Sequence, residues 1–204
     1  MNAPLTHIAG RAYPFGMKNC DTDVIIGAEW LKTISRKGLG VGAFAALRAT
    51  PGHILADPEY AGSPILIAGD NFGCGSSREH AAWALADFGI RAIVAPNFSD
   101  IFASNAFKNG ILTLTLTEQV VDHLMAIAPR QSFAIDLAAQ RLTSSAGEHF
   151  DFEIDPFRKD CLLNGLDEIG ITLSLADKIS RFEKRSPNPS PPSATNPFLD
   201  SFRR

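Results

Sequence analysis

Apolar positions follow two rhythms along this chain. In the first, short apolar runs alternate with alanine-rich or amphipathic stretches. Ile65-Leu66-Ile67-Ala68 and Ala92-Ile93-Val94-Ala95 read as strands buried on both faces, and residues 111–116 as a third. Residues 6–13 add a short strand near the start. Residues 28–35, 77–88, 99–108 and 118–126 read as helices. Ala81, Ala82, Ala84, Leu85 and Ala86 favour the second of these, and Gly89 is placed to cap it. Strand, helix, strand, helix, strand predicts an α/β core.

From Ser132 the period shifts towards two. Phe133, Ile135 and Leu137 alternate with polar or small neighbours, as do Phe150, Phe152 and Ile154. With Ser144 to Gly147 as the turn, this predicts a β-hairpin added to the core. Residues 159–166 and 174–184 are predicted helical. The run Gly38-Leu39-Gly40-Val41-Gly42 is too glycine-rich for a stable helix and predicts a mobile loop. Residues 1–185 are expected to form one domain. Residues 186–204 are rich in Pro, Ser and Asn, cannot bury enough apolar surface, and are expected to be a disordered tail.

Composition narrows the function classes. With 45% apolar and 20% charged residues and a net charge of -3, the chain has the make-up of an ordinary globule. A nucleic-acid or anionic-membrane partner would need a clustered positive field, which the sequence lacks. No apolar run approaches the roughly 20 residues of a bilayer span. Met1 to Gly10 lack a basic stretch followed by an apolar core, so no secretion signal is expected. The three cysteines, Cys20, Cys74 and Cys161, are odd in number and widely spaced. That pattern predicts a reduced, cytoplasmic setting, with Cys20 and Cys161 inert. It also predicts no metal or cluster held by this chain alone, since an iron–sulfur cluster needs several thiolates.

The chemistry concentrates in Gly73-Cys74-Gly75-Ser76-Ser77-Arg78-Glu79-His80, between a buried strand and the alanine-rich helix. Glycines allow a sharp turn and close approach of a ligand. A helix N-terminus attracts anions, the two hydroxyls donate, and the Arg78 fork matches a carboxylate. The same residues equally suit a plain helix cap, with Arg78 a solvated charge. A dinucleotide loop would require Gly at position 78. A nucleophile elbow would require G-x-S-x-G, which is absent. Cys74 as a nucleophile is disfavoured, since cysteine is more often a small hydrophobe. His80 reads as a structural hydrogen bonder.

The string Asp70-Asn71-Phe72-Gly73-Cys74-Gly75-Ser76-Ser77-Arg78-Glu79-His80-Ala81 resembles the signature of the swivelling domain of the aconitase superfamily. In particular it is similar to the family of separate small subunits of 3-isopropylmalate dehydratases. Asn19-Cys20-Asp21-Thr22-Asp23-Val24-Ile25-Ile26, the stretch from Leu31-Lys32 to Gly40, Ala95 to Phe102, and Asn164 to Gly170 resemble that family's further motifs, in order. The resemblance covers roughly residues 5–184. Two departures stand out: Gly27 replaces a common proline, and the region 44–57 is short.

The resemblance implies a swivelling β/β/α domain with a partly open, barrel-like sheet flanked by helices. It implies a hydro-lyase that isomerises 2-isopropylmalate to 3-isopropylmalate in leucine biosynthesis, active only with a large subunit that carries a [4Fe–4S] cluster. Ser76 would be the base, acting as an alkoxide stabilised by the helix N-terminus and Arg78. Ser77 and Arg78 would bind a substrate carboxylate, and Arg36 would be a second substrate cation. Asp21, Thr22 and Asp23 would line the pocket, although the two aspartates equally suit capping of the following turn. The loop 38–46 would lie over the substrate's variable group. Two alternatives remain open at this point: a sibling subunit acting on citramalate, dimethylmalate or homoaconitate, and a non-catalytic carboxylate-binding module.

Overall fold

The computed structural model describes residues 3–185. They fall in two compact units, Met1–Asp167 and Glu168–Arg204. The expected tail, 186–204, lies outside the described residues.

The first unit carries two four-stranded sheets. The strand expected over residues 6–13 divides at Arg11. Its first part, β1 (His7–Gly10), joins one sheet, and its second, β2 (Ala12–Pro14), joins the other. A one-turn helix α1 (Thr22–Ile25) follows the Asn19–Asp21 turn. The helix expected over 28–35 shrinks to a 3₁₀ turn, Ala28–Trp30. A second one-turn helix, α2 (Ala45–Arg48), precedes β3 (Ile65–Ile67). Then come α3 (His80–Phe88), β4 (Ala92–Ala95), α4 (Asp100–Lys108), β5 (Leu112–Thr115) and α5 (Glu118–Ile127). Strands β2, β3, β4 and β5 pair in that order, all parallel.

The shift to period two marks an antiparallel meander rather than a single hairpin. Strands β6 (Phe133–Asp136), β7 (Arg141–Ser144) and β8 (His149–Asp151) pair in sequence, and β1 closes the outer side against β6. The turn at Ser144–Gly147 is the second of two. The first lies at 137–140, where Gln140 adopts φ +54°. Helix α6 (Pro156–Asn164) begins with Asp155 accepting from the Arg158 amide and Pro156 in the first turn, where no N–H is needed. The second unit holds α7 (Glu168–Ser174) and α8 (Ala176–Arg185) in place of the one helix expected over 174–184.

The α/β expectation therefore holds. The barrel-like sheet resolves into two separate sheets, with no closed barrel among the described residues. The reason is the switch at Arg11, which hands one extended segment to both sheets. Alternation in the parallel strands then divides the core. Leu66 and Ile93 face a cluster with Ile25, Phe72, Leu85 and Phe102. Ile65, Ile67, Val94 and Leu112 face a second cluster with Leu124, Phe133, Ile135 and Leu142. Each fully buried Leu or Ile contributes about 1.5–3 kcal/mol relative to exposure. The parallel sheet thus offers rigid strand ends on which a site can be mounted.

Candidate active site

The loops leaving the carboxyl ends of β3 and β4 meet the Asn19–Asp23 turn, and together they build the site. Ligands of open parallel sheets gather at that edge. Phe72 bridges to Phe98 and Asp21 to Cys74, both in parallel register. The Asn19 amide donates to the Asp70 carbonyl at 2.8 Å, and the Gly73 amide to the Cys20 carbonyl at 2.8 Å. The Asn71 side chain donates to Asn19 Oδ1 at 2.8 Å, and the Asn71 amide to Asn97 Oδ1 at 2.8 Å. Both Asn19 and Asn71 adopt left-handed φ values, which Asn tolerates better than most residues. Sequence reasoning missed this asparagine scaffold. Its signal is the polar residue after each buried apolar run.

Gly73 is required by two facts at once. Its φ is +75°, and a Cβ there would stand 2.2 Å from the Phe102 ring. Gly75, at φ +89°, returns the chain towards Thr22 and Asp21. Ser76 follows, exposed, with its Oγ 2.7 Å from Thr22 Oγ1. Ser77 is exposed as well. Arg78 donates from Nη1 to Asp23 Oδ1. Asp21 caps α1, accepting from the Val24 amide at 2.8 Å. The structure therefore brings Asp21, Thr22, Asp23, Ser76 and Arg78 together. Asp21 acts as a cap, Thr22 is nearly fully buried rather than lining an open pocket, and Asp23 holds an arginine.

Two expectations need correction. The helix after the serines does not start at Ser77. It starts at His80, with Glu79 in the cap position and no side-chain cap bond. The bridge to Asp21 and the turn at Gly75 hold the intervening chain in place, and tertiary pairing overrides the helix-start signal. Ser76 is thus not seated on a helix N-terminus. The glycine-rich run is also no free loop: Leu39–Gly42 forms a 3₁₀ turn with Leu39, Gly40 and Gly42 buried. The Gly40 amide donates to Asp87 Oδ2 at 2.7 Å, and a Cβ there would lie 2.6 Å from the α3 backbone. Those glycines serve close packing.

Arg36 stands beside Glu79, with its Nη2 3.8 Å from Oε1, and its guanidinium lies 5.0 Å over the Trp83 ring. It borders a cavity of about 680 Å³ shared with His7, Lys37, Trp83, Asp87 and Arg91. Burial pushes the Glu79 carboxyl up, but hydrogen bonding by Asn109 and the charges of Arg36 and Lys108 outweigh it and hold the carboxyl below its ordinary value. His80 donates from Nε2 to the Thr33 carbonyl at 3.1 Å and packs on Trp83, the structural role its position suggests. Burial, chiefly, pushes the Cys20 thiol up to about 12, which keeps it protonated. Among the described residues, no three His, Cys, Asp or Glu side chains are grouped to hold a metal ion. None of the described helices is long and apolar enough to cross a membrane.

Comparison with known proteins fits this geometry. Residues 2–119 match the aconitase C-terminal domain. The chain is 62% identical over 182 residues to a 3-isopropylmalate dehydratase small subunit of Novosphingobium aromaticivorans, covering 89% of this chain and 90% of that one. The chain belongs to the family of 3-isopropylmalate dehydratase small subunits. A second member, from Erythrobacter litoralis, is 59% identical, covering 92% of this chain and 94% of the relative. The crystal structure of a 3-isopropylmalate dehydratase from Methanocaldococcus jannaschii superposes with a TM-score of 0.65 at 25% identity. It covers 87% of this chain and 99% of that one, so the described fold is the family's fold.

Proposed function

We propose that this chain is the small subunit of a heteromeric, cytoplasmic hydro-lyase of leucine biosynthesis that interconverts 2-isopropylmalate and 3-isopropylmalate. The observation that carries this reading is the Ser76-Ser77-Arg78 loop, its two serines exposed and its arginine half-buried, pinned to the Asp21–Asp23 turn. A [4Fe–4S] cluster in the large subunit would supply a Lewis acid for the departing hydroxyl.

This chain supplies the base and part of the carboxylate binding. Ser76 Oγ, deprotonated, takes the proton α to a substrate carboxylate. A new O–H bond forms, the C–H bond breaks, and its electron pair becomes the alkene as hydroxide leaves the adjacent carbon. Rehydration runs the same transfer backwards at the neighbouring carbon. Ser77 and Arg78 hold one carboxylate, and Asp23 keeps the Arg78 fork oriented while leaving other N–H groups to donate. Arg36 has a side chain 61% exposed, a long ion pair to Glu79 and a stacking contact on Trp83, so its guanidinium retains donors for a second carboxylate.

The test is a steady-state comparison of the complex rebuilt with its large subunit on 2-isopropylmalate, citramalate, dimethylmalate and homoaconitate. The highest kcat/KM belongs to 2-isopropylmalate. A tenfold preference for another acid would transfer the assignment to a sibling enzyme. Absence of turnover on all four would favour a non-catalytic carboxylate-binding module.

A further inference from the structure

We propose that Thr22 is the positioning residue of Ser76: its hydroxyl donates to Ser76 Oγ when that oxygen is deprotonated, and to the Ser76 carbonyl when it is not. The inference rests on the reading of Ser76 as the base.

Thr22 is only 2% exposed, and a buried hydroxyl demands a partner. Both of its candidate partners lie on one residue. Its Oγ1 is 3.2 Å from the Ser76 carbonyl oxygen and 2.7 Å from Ser76 Oγ. A hydroxyl has a single proton to donate. While Ser76 is neutral, its own proton can point to Thr22 Oγ1, and Thr22 can donate to the carbonyl. Once Ser76 loses its proton, Thr22 Oγ1 has no donor facing it from that side, and its own proton turns onto the charged oxygen. A bond to an ionised acceptor is roughly twice as strong as a neutral one. The contact therefore favours the deprotonated base over the protonated one, and it raises the fraction of the complex in which Ser76 is ready to accept a proton. When the substrate proton arrives on Ser76 Oγ, the Thr22 proton returns to the carbonyl.

The arrangement is rigid enough for this role. The Thr22 amide donates to the Cys74 carbonyl at 3.0 Å, and the Thr22 carbonyl accepts from the Ile26 amide at 3.0 Å. A branched Cβ restricts its rotamers. Gly75, with a left-handed φ and an open Cα facing Asp21 and Thr22, lets Ser76 come within reach. The helix N-terminus that the loop suggests as a stabiliser is displaced, since α3 begins only at His80.

The experiment compares Thr22→Val, Thr22→Ser and Ser76→Ala in the complex with the large subunit. Thr22→Val keeps the shape and loses the hydroxyl. On the acid limb its kcat falls by about 10- to 100-fold, the scale of losing one hydrogen bond to a charged group, while KM stays near that of the unmodified complex. The acid limb of its kcat–pH profile moves to higher pH, because the base is harder to deprotonate. Thr22→Ser keeps the hydroxyl and retains kcat and profile. If Thr22 merely fills space, Thr22→Ser loses at least as much as Thr22→Val and the profile stays put, which overturns the proposal. Should Thr22→Val fail to fold, Thr22→Ser and Thr22→Ala leave the same gap and differ only in the hydroxyl, so equal kcat in that pair overturns it too. An inactive Ser76→Ala beside a normal Thr22→Val sinks the role of Thr22 alone. An active Ser76→Ala sinks the base reading and the role of Thr22 with it.

Discussion

Arg78 and Asp23 show how one side chain can be both held and free. The carboxylate of Asp23 engages one Nη of a fork that has five N–H donors, and the Asp23 side chain is itself 61% exposed. That geometry orients the fork without exhausting it. Lysine would keep the charge but present a point donor in place of the planar pair. For Arg78→Lys in the rebuilt complex, KM therefore rises by about tenfold or more, consistent with loss of a charge-assisted hydrogen bond worth about 1.5–3 kcal/mol, and kcat changes less. Steady-state kinetics check this, and an unchanged KM would show that Arg78 does not touch the substrate. The residue types in the string Gly73 to His80 are readable from sequence, because glycine, hydroxyl and guanidinium each have a distinct use near a carboxylate. Their partners are not. Nothing local says that Thr22 lies under Ser76 or that Asp23 faces Arg78, since those contacts join segments far apart in the chain.

At the level of elements, the strands β3, β4 and β5 and the helices α4 and α5 are legible, because apolar runs and helical periodicity are strong there. The start of α3 is not. Ser77 followed by Glu79 and an alanine run carries the marks of a helix start, yet the backbone is committed elsewhere by the Asp21–Cys74 bridge and the turn at Gly75. The run Gly38 to Gly42 misleads for the opposite reason: the glycines that suggest mobility are the ones that let Gly40 pack on α3. The loop before α3 depends similarly on Gly73. Gly73→Ala imposes a left-handed alanine and a clash with Phe102. Expected costs are about 1–2 kcal/mol for the backbone and about 1–3 kcal/mol for overpacking. Chemical denaturation of the isolated chain should show a loss within that combined range. Unchanged stability would mean that the Phe102 ring and the turn relax freely.

At the scale of the whole molecule, the parallel sheet provides the frame, and the loops at the carboxyl ends of its strands bring Ser76 and Arg78 to one edge beside the Asp21–Asp23 turn. The second sheet and the helix α5 bury the opposite core and place no candidate residue at the site. Sequence periodicity revealed the two classes of strand but not their separation, because the switch at Arg11 depends on which neighbours each half of one extended segment finds. On this account the chain is an incomplete active site, built to present Ser76 to a substrate held jointly with a partner subunit. The kcat of the complex rebuilt with Ser76→Ala tests that claim most directly. The account predicts a fall of about two to four orders of magnitude, the scale of a positioned base, with KM little altered and with circular dichroism and subunit assembly unchanged. A properly assembled Ser76→Ala complex that turns over at a near-normal kcat would contradict it.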